Sequence, residues 1–101
     1  MSATQSLKST FTATGSGTAE ALQGGYYFIA AAWANKSGAT LNLQLLAPDG
    51  TTQLPLLGTA MSNSGVNAIG YLPAGQYSFI AAGTFGASEK ITAALSSVLL
   101  D

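Results

Sequence analysis

Turn signals return on average about every 12 residues along this chain, and this spacing constrains the fold more than any other feature. Glycine adopts the positive φ that tight turns need, while proline and asparagine favour corner conformations. The turn clusters lie at residues 15–17, 24–25, 35–38, 48–50, 63–65, 73–75 and 86–88. Short segments between evenly spaced turns are typical of antiparallel sandwiches and barrels, so the sequence predicts an all-β domain.

The segments between the turns have the length and the alternation of β-strands. The clearest example alternates Leu41, Leu43 and Leu45, which would face the core, with Asn42 and Gln44, which would face outward. The same pattern would turn inward Leu7, Ser9, Phe11, Ala13, Ile91, Ala93 and Leu95. We therefore predict about eight strands that form a two-sheet antiparallel β-sandwich of the jelly-roll kind.

Three further segments refine this prediction. Residues 66–72 and 76–82 flank a Pro-Ala-Gly corner, which predicts a β-hairpin. Pro55 cannot donate to a strand ladder, so the segment around it is expected to be an edge strand or an irregular one. The alanine-rich windows at residues 30–34 and 92–99 are short and lack a capping box, so neither is predicted to be a helix.

The organisation of the chain is that of one domain. Residues 1–6 are polar and unpatterned, which predicts a flexible N-terminal arm before a single domain over residues 7–101. Residues 25–31 and 75–82 both read Gly-x-Tyr followed by a mostly apolar run. This internal similarity predicts two strands that play equivalent roles after a tight glycine turn.

One strand is apolar on both of its faces. The segment over residues 26–33 reads YYFIAAAW, which is typical of a central strand or of one covered on both sides. Only one face can join the core, and contiguous apolar exposure on the other usually marks an interface. Leu46 also breaks the polar alternation of its own strand. The predicted assembly interface therefore consists of Tyr26, Phe28, Ala30, Ala32 and Leu46.

The charge content excludes several classes of function. Only 7% of the residues are charged, against about 25% in ordinary domains, and the chain contains no His, Cys or Arg. Three lysines are too few to neutralise the phosphates of a nucleic acid or to form a polybasic membrane patch. Clustered metal ligands are lacking, and only Ser–Lys pairs remain for nucleophilic catalysis. We predict no enzyme activity, no catalytic residue, no cofactor, no metal site, and neither a nucleic-acid nor a membrane partner.

Two stretches of the sequence carry a resemblance to a known group of proteins. Residues 41–52 (LNLQLLAPDGTT) and 71–77 (YLPAGQY) resemble segments of small phage head proteins that decorate or cement capsids. The resemblance extends over residues 24–100. It implies a β-sandwich that sits on the shell, often as a trimer, and clamps neighbouring coat subunits. No catalytic residue is implied.

These observations favour a structural role in an assembly, because a surface with so few charges promotes association. We expect a capsid decoration protein of the virion, synthesised in the host cytoplasm, that binds the major capsid protein and self-associates as a homotrimer. An alternative is a carbohydrate- or receptor-binding knob of a phage fibre, which would need exposed, coplanar aromatic rings. A further alternative is an enzyme with a Ser–Lys site.

Overall fold

The structure is a computed structural model that describes residues 6–98. Within this range it contains strands and no helix, and therefore no helix with the length and hydropathy of a membrane span. The nine strands in these residues are β1 (Ser6–Phe11), β2 (Gly15–Ser16), β3 (Glu20–Leu22), β4 (Gly25–Ala34), β5 (Gly38–Leu46), β6 (Gln53–Pro55), β7 (Gly65–Leu72), β8 (Gly75–Thr84) and β9 (Lys90–Val98).

The strands form two antiparallel sheets. Sheet A has the order β1-β9-β4-β7, and sheet B has the order β2-β8-β5-β6, with β3 also paired to β8. If β2 and β3 are counted as one interrupted strand, the pairs β1·β9, β2/β3·β8, β4·β7 and β5·β6 are nested inside one another along the chain. Nested pairing of this kind is the strand order of a jelly roll. The predicted two-sheet antiparallel sandwich is confirmed, and β6 is an edge strand as Pro55 predicts.

The core lies between the inner faces of the two sheets. Leu41 and Leu43 of β5 meet Ile29, Ile91 and Leu95 of sheet A, and all five are fully buried. Their spacing follows the period of two that the sequence shows, so the predicted inward residues of β5 and β9 are confirmed. Ala13 does not follow this pattern, because β1 ends at Phe11 and Ala13 is exposed.

Two corners carry the chain between the sheets in equivalent ways. The hydroxyl of Tyr27 donates to the carbonyl oxygen of Gln23 at 2.7 Å, and that of Tyr77 donates to the carbonyl oxygen of Pro73 at 2.6 Å. Each tyrosine lies near the start of a central strand, β4 in sheet A and β8 in sheet B. The internal similarity of the sequence therefore reflects two strands with equivalent roles, as predicted.

The predicted hairpin between β7 and β8 is wrong. β7 pairs with β4 in sheet A, whereas β8 pairs with β5, β2 and β3 in sheet B. The Pro-Ala-Gly corner crosses from one sheet to the other, which lets Leu72 and Tyr77 enter the same core from opposite sides. A hairpin within one sheet would not cover both sides of that core.

The Asp-Gly turn after β5 has the geometry that the sequence indicates. The Oδ1 atom of Asp49 accepts hydrogen bonds from the backbone N–H groups of Thr51 at 2.9 Å and Thr52 at 2.8 Å, and Gly50 has a φ of 79°. The hydroxyl of Thr52 also donates to Asp49, and these hydrogen bonds lower the pKa of the carboxyl to about 2. Asp49 is therefore a turn residue.

Ser6, which the sequence analysis assigns to a flexible arm, belongs to a strand. Ser6 is the first residue of β1 and pairs with Ser96 of β9. Residues 1–5, the remainder of that prediction, lie outside the described residues.

Candidate docking surface on sheet A

The outer face of sheet A is the candidate functional surface, and we call it the alanine face. Its side chains point away from sheet B: on β1, β4 and β9 they alternate with buried or half-buried residues, and on β7 Val66, Ala68 and Tyr71 pair with outward residues of β4. One row crosses the centre of this face from Lys8 through Ala94 and Ala30 to Val66. The face consists of Ser6, Lys8 and Thr10 on β1, Lys90, Thr92, Ala94 and Ser96 on β9, Tyr26, Phe28, Ala30 and Ala32 on β4, and Val66, Ala68 and Tyr71 on β7.

Four of the five predicted interface residues lie together on this face. Tyr26, Phe28, Ala30 and Ala32 occupy successive outward positions of β4, and the exposed fraction of Tyr26 is 49%. Leu46 does not join them, because it lies at the end of β5 in sheet B, where it pairs with Gln53. Its half-buried side chain is therefore part of a different surface.

Neighbouring strands add apolar residues that the sequence analysis did not assign to the interface. Val66 is 72% exposed and pairs with Ala30, while Ala68 pairs with Phe28. Ala94 of β9 pairs with Ala30 from the other side. These residues could be found only once the strand order was known, since nothing in a short strand says which neighbour it will have.

A β-bulge in β7 brings Tyr71 onto the same face. The register between β4 and β7 shifts after Tyr27, which leaves Ile69 as an extra residue between Ala68 and Gly70. An extra residue reverses the direction of every later side chain in the strand. Tyr71 therefore points outward beside Tyr26, and Leu72 points into the core.

Gly70 makes this bulge possible, and we predict that Gly70→Ala destabilises the protein. Gly70 has a φ of 95°, a conformation that costs a residue with a Cβ roughly 1–3 kcal/mol. Thermal unfolding of the variant should show a clear decrease in Tm. Gly65→Ala is the matched control in the same strand, since a Cβ there meets no atom within 4 Å and its φ needs no glycine. Equal Tm values for the two variants would contradict this role of the bulge.

The exposed aromatic rings form an edge-to-face pair. The ring centroids of Tyr26 and Tyr71 are 5.6 Å apart, and the ring planes are inclined by 75°. Phe11, Tyr27, Tyr77 and Phe79 lie in the core. The two exposed rings therefore do not form the single flat platform that sugar stacking would use.

Within residues 6–98, the charged side chains on the alanine face are all positive. Lys8 lies beside Ala94, and Lys90 lies at one end of the face beside Ala34. The three acidic residues in this range are elsewhere: Glu20 is on β3, Asp49 is in its turn, and Glu89 is buried. Neither lysine therefore has a carboxylate neighbour on this face.

The outer face of sheet B is chemically different, and we call it the amide face. Its central strands present Thr40, Asn42, Gln44, Gln76 and Ser78. Gln44 points outward as predicted, yet it is buried, because its Nε2 atom donates to the hydroxyls of Ser16 at 3.2 Å and Ser78 at 3.1 Å. The amide face thus combines hydrogen-bonded amides and hydroxyls with the side chains of Ile80 and Ala82, whereas the central row of the alanine face offers the methyl groups of Ala30, Ala94 and Val66.

Glu89 is a residue whose role the sequence analysis did not foresee. A Glu-Lys pair before a strand indicates two solvated charges, but only 2% of Glu89 is exposed. Its Oε2 atom accepts hydrogen bonds from the backbone N–H groups of Ser37 and Ala39, at 2.8 and 3.2 Å, and its Oε1 atom accepts one from Gly86 at 3.0 Å. The carboxylate therefore ties the β4–β5 loop to the β8–β9 loop.

The remaining chemistry-bearing side chains do not converge. Lys8, Lys36 and Lys90 are all exposed, so none has the desolvated environment that activates a lysine. Among the residues that the structure describes, no three acidic side chains come close enough to share a metal ion. No protein-family model matches this chain, and neither a curated protein nor a solved structure shows significant similarity to it.

Proposed function

We propose that this protein is a capsid decoration protein that binds the outside of an assembled phage head through its alanine face. The observation that carries the proposal is the apolar row through Ala94, Ala30 and Val66, flanked by the exposed rings of Tyr26 and Tyr71. This row lies on the side of the sheet that the core does not use. Contiguous apolar surface of this kind usually marks an interface.

The size of the alanine face supports docking on another protein. Four strands about 4.8 Å apart and about eight residues long give a projected area of about 500 Å². The relief of the side chains increases the accessible area above this value, and stable interfaces bury about 800 Å² on each partner. Alanine side chains let the partner approach the sheet closely, so dispersion contacts accumulate over the whole face.

Composition and sequence resemblance support the same proposal. In a chain with 7% charged residues, little electrostatic repulsion keeps the copies dispersed in solution. This property suits a protein that functions as part of an assembly. Jelly rolls occur in viral capsid domains and in lectins, so the fold is compatible with the proposal but does not carry it. The segments at residues 41–52 and 71–77 resemble segments of small phage head proteins, and this resemblance favours the same proposal.

The proposed mechanism is linkage between binding and assembly. A protein that binds only the assembled shell stabilises it by mass action, and a ligand at a hundred times its Kd contributes about 2.7 kcal/mol per site. Because each site spans a junction between coat subunits, dissociation of a subunit must also break this contact. The homotrimer stays a prediction, and a measurement of the native mass by light scattering tests it.

The test is co-sedimentation of the protein with assembled empty heads. We expect Ala32→Glu to weaken binding roughly a hundredfold, because it places an unpaired charge in the proposed interface. Ala82→Glu is the matched control: Ala82 occupies the corresponding outward position of β8 on the amide face, and both alanines are exposed. The control should bind like the unmodified protein.

Two outcomes would overturn the proposal. The unmodified protein could remain in the supernatant with every shell tested, which would remove the function itself. Alternatively, Ala82→Glu could lose binding while Ala32→Glu keeps it, which would move the interface to the amide face.

A further inference from the structure

The centre of the alanine face is a shallow depression that is open to solvent. Its volume is about 460 Å³, and its floor is formed by methyl groups of β4 and β9, including those of Ala30 and Ala94. Lys8 and Val66 lie on opposite sides of it, on β1 and β7. The floor lies below the surrounding surface because the alanine side chains of the two central strands are shorter than their neighbours.

The shape of this depression suits one bulky side chain of a partner. A small molecule is usually held by burying 70–90% of its surface, which an open depression does not do. A side chain that projects from a docked protein is covered by the rest of the interface, so its apolar surface is fully removed from water. Anchors of this type contribute most to binding when they fill a central pocket.

The charges around the depression indicate the polarity of the partner. Lys8 is exposed at its wall, and the three carboxylates of residues 6–98 lie away from this face, on β3, in the Asp49 turn and at the buried Glu89. A second copy of this chain docked face to face would add two more lysines and no carboxylate from these residues. An acidic partner is therefore favoured over a second copy, because it supplies opposite charge to Lys8 and Lys90.

From these observations, we infer that the depression over Ala30 and Ala94 binds one large apolar side chain of a partner segment that carries carboxylates beside it, and that Lys8 pairs with one of them. This inference rests on the proposed function, since the partner segment would belong to the capsid. It specifies which chemistry the capsid must present to this face.

A peptide probe tests the surface chemistry without any capsid. The probe is acetyl-Asp-Asp-Phe-Asp-Asp-amide, and the neutral control is the same peptide with Asn in place of each Asp. In ¹⁵N–¹H spectra of the full chain, we expect the acidic probe to shift the amide signals around Ala30, Ala94 and Lys8. Ala94→Leu, which projects a larger side chain from the floor of the depression, should weaken these shifts while the rest of the spectrum confirms the fold.

The second arm measures salt dependence on the shell. Lys8→Gln should weaken shell binding roughly two- to fivefold at low salt, and the difference should vanish near 1 M salt, where the Debye length is about 3 Å. Lys36→Gln is the matched control, because Lys36 lies in the β4–β5 loop and not on this face. It should not change the binding.

The outcomes separate this inference from the proposed function. Equal shifts with the acidic and neutral peptides, or with a small apolar molecule alone, would overturn the inference. The inference would also be overturned if Lys8→Gln left shell binding unchanged at every salt concentration. The proposed function would stand in that case. Dimerisation mapped to the same amides would assign the depression to a second copy. Peptide binding at the depression without any shell binding would overturn the proposed function alone.

Discussion

Phe79→Ala is expected to lower the free energy of unfolding by about 3–5 kcal/mol, the largest effect of any substitution considered for this protein. Phe79 lies in the middle of β8, is fully buried, and faces sheet A across the core. Truncation removes its apolar surface from the core and leaves a cavity that a close-packed sandwich fills only in part. For a domain of this length, the loss corresponds to a decrease in Tm of more than about 12 °C. Thermal and denaturant unfolding both measure it.

Ile80→Ala is the matched control for this prediction. Ile80 is the next residue of the same strand, points to the amide face, and is only half-buried. Its truncation should cost less than half as much, because its neighbours are already partly solvated. Equal losses at the two positions would mean that β8 does not have one core face and one outer face.

Much of the fold could be predicted from local pattern. The alternation at Leu41, Leu43, Ile91 and Leu95 is a direct consequence of a pleated strand with one buried face, so each strand reports its own inner side. The turns are equally local, since Asp49 forms its hydrogen bonds within three residues. Information of this kind is written into adjacent residues.

The strand order could not be predicted in this way. The corner between Leu72 and Gly75 has the chemistry of a turn, but nothing in it says whether the next strand returns to the same sheet or crosses to the other one. Crossing is decided by the whole core, which needs side chains from both sheets. The bulge at Ile69 could not be predicted either, because Gly70 indicates an irregular backbone but not which side chains change face.

The candidate site was predictable to the extent that it lies on one strand. The apolar second face of β4 identified Tyr26, Phe28, Ala30 and Ala32 without any knowledge of the neighbouring strands. Their partners on β7 and β9 come from positions more than 30 residues away, so only the pairing register reveals them. Leu46 was included on a local break of polarity, and such a break does not specify a sheet.

Glu89→Ala is expected to produce the second large loss of stability. Truncation leaves three backbone N–H groups without their acceptor: the hydrogen bond of Ala39 is buried, and those of Ser37 and Gly86 are partly buried. A donor that loses its partner away from water is costly, because the solvation it gave up is not recovered. We expect Tm to fall by roughly 10 °C or more. The Tm of Glu89→Gln should lie between that of the unmodified protein and that of Glu89→Ala. The amide of Gln keeps one acceptor oxygen, but it turns its N–H₂ group toward a backbone N–H donor.

The effect of Glu89 should also depend on pH, in a direction that the hydrogen bonds determine. Burial raises the pKa of this carboxyl, but several backbone N–H groups lower it by more, so its pKa in the folded protein lies below the ordinary value of 4.5. A depressed pKa gives stability that is fully present above the unfolded value and is lost as the pH falls through the folded value. The gap in Tm between the unmodified protein and Glu89→Gln should therefore be constant at neutral pH and narrow below pH 4.5.

Glu20→Gln provides the same chemical change at an exposed position of β3 and should leave both Tm and its pH dependence nearly unchanged. A gap for Glu89→Gln that persists unchanged to low pH would show that the loss comes from packing and not from charge. No gap at all would contradict the role of Glu89 as the acceptor that joins the two loops. Both loops lie at the end of the sandwich opposite the two tyrosine corners. A clear difference in Tm would therefore show that the carboxylate of Glu89 stabilises one end of the sandwich, whereas the hydroxyls of Tyr27 and Tyr77 form the corner hydrogen bonds at the other end.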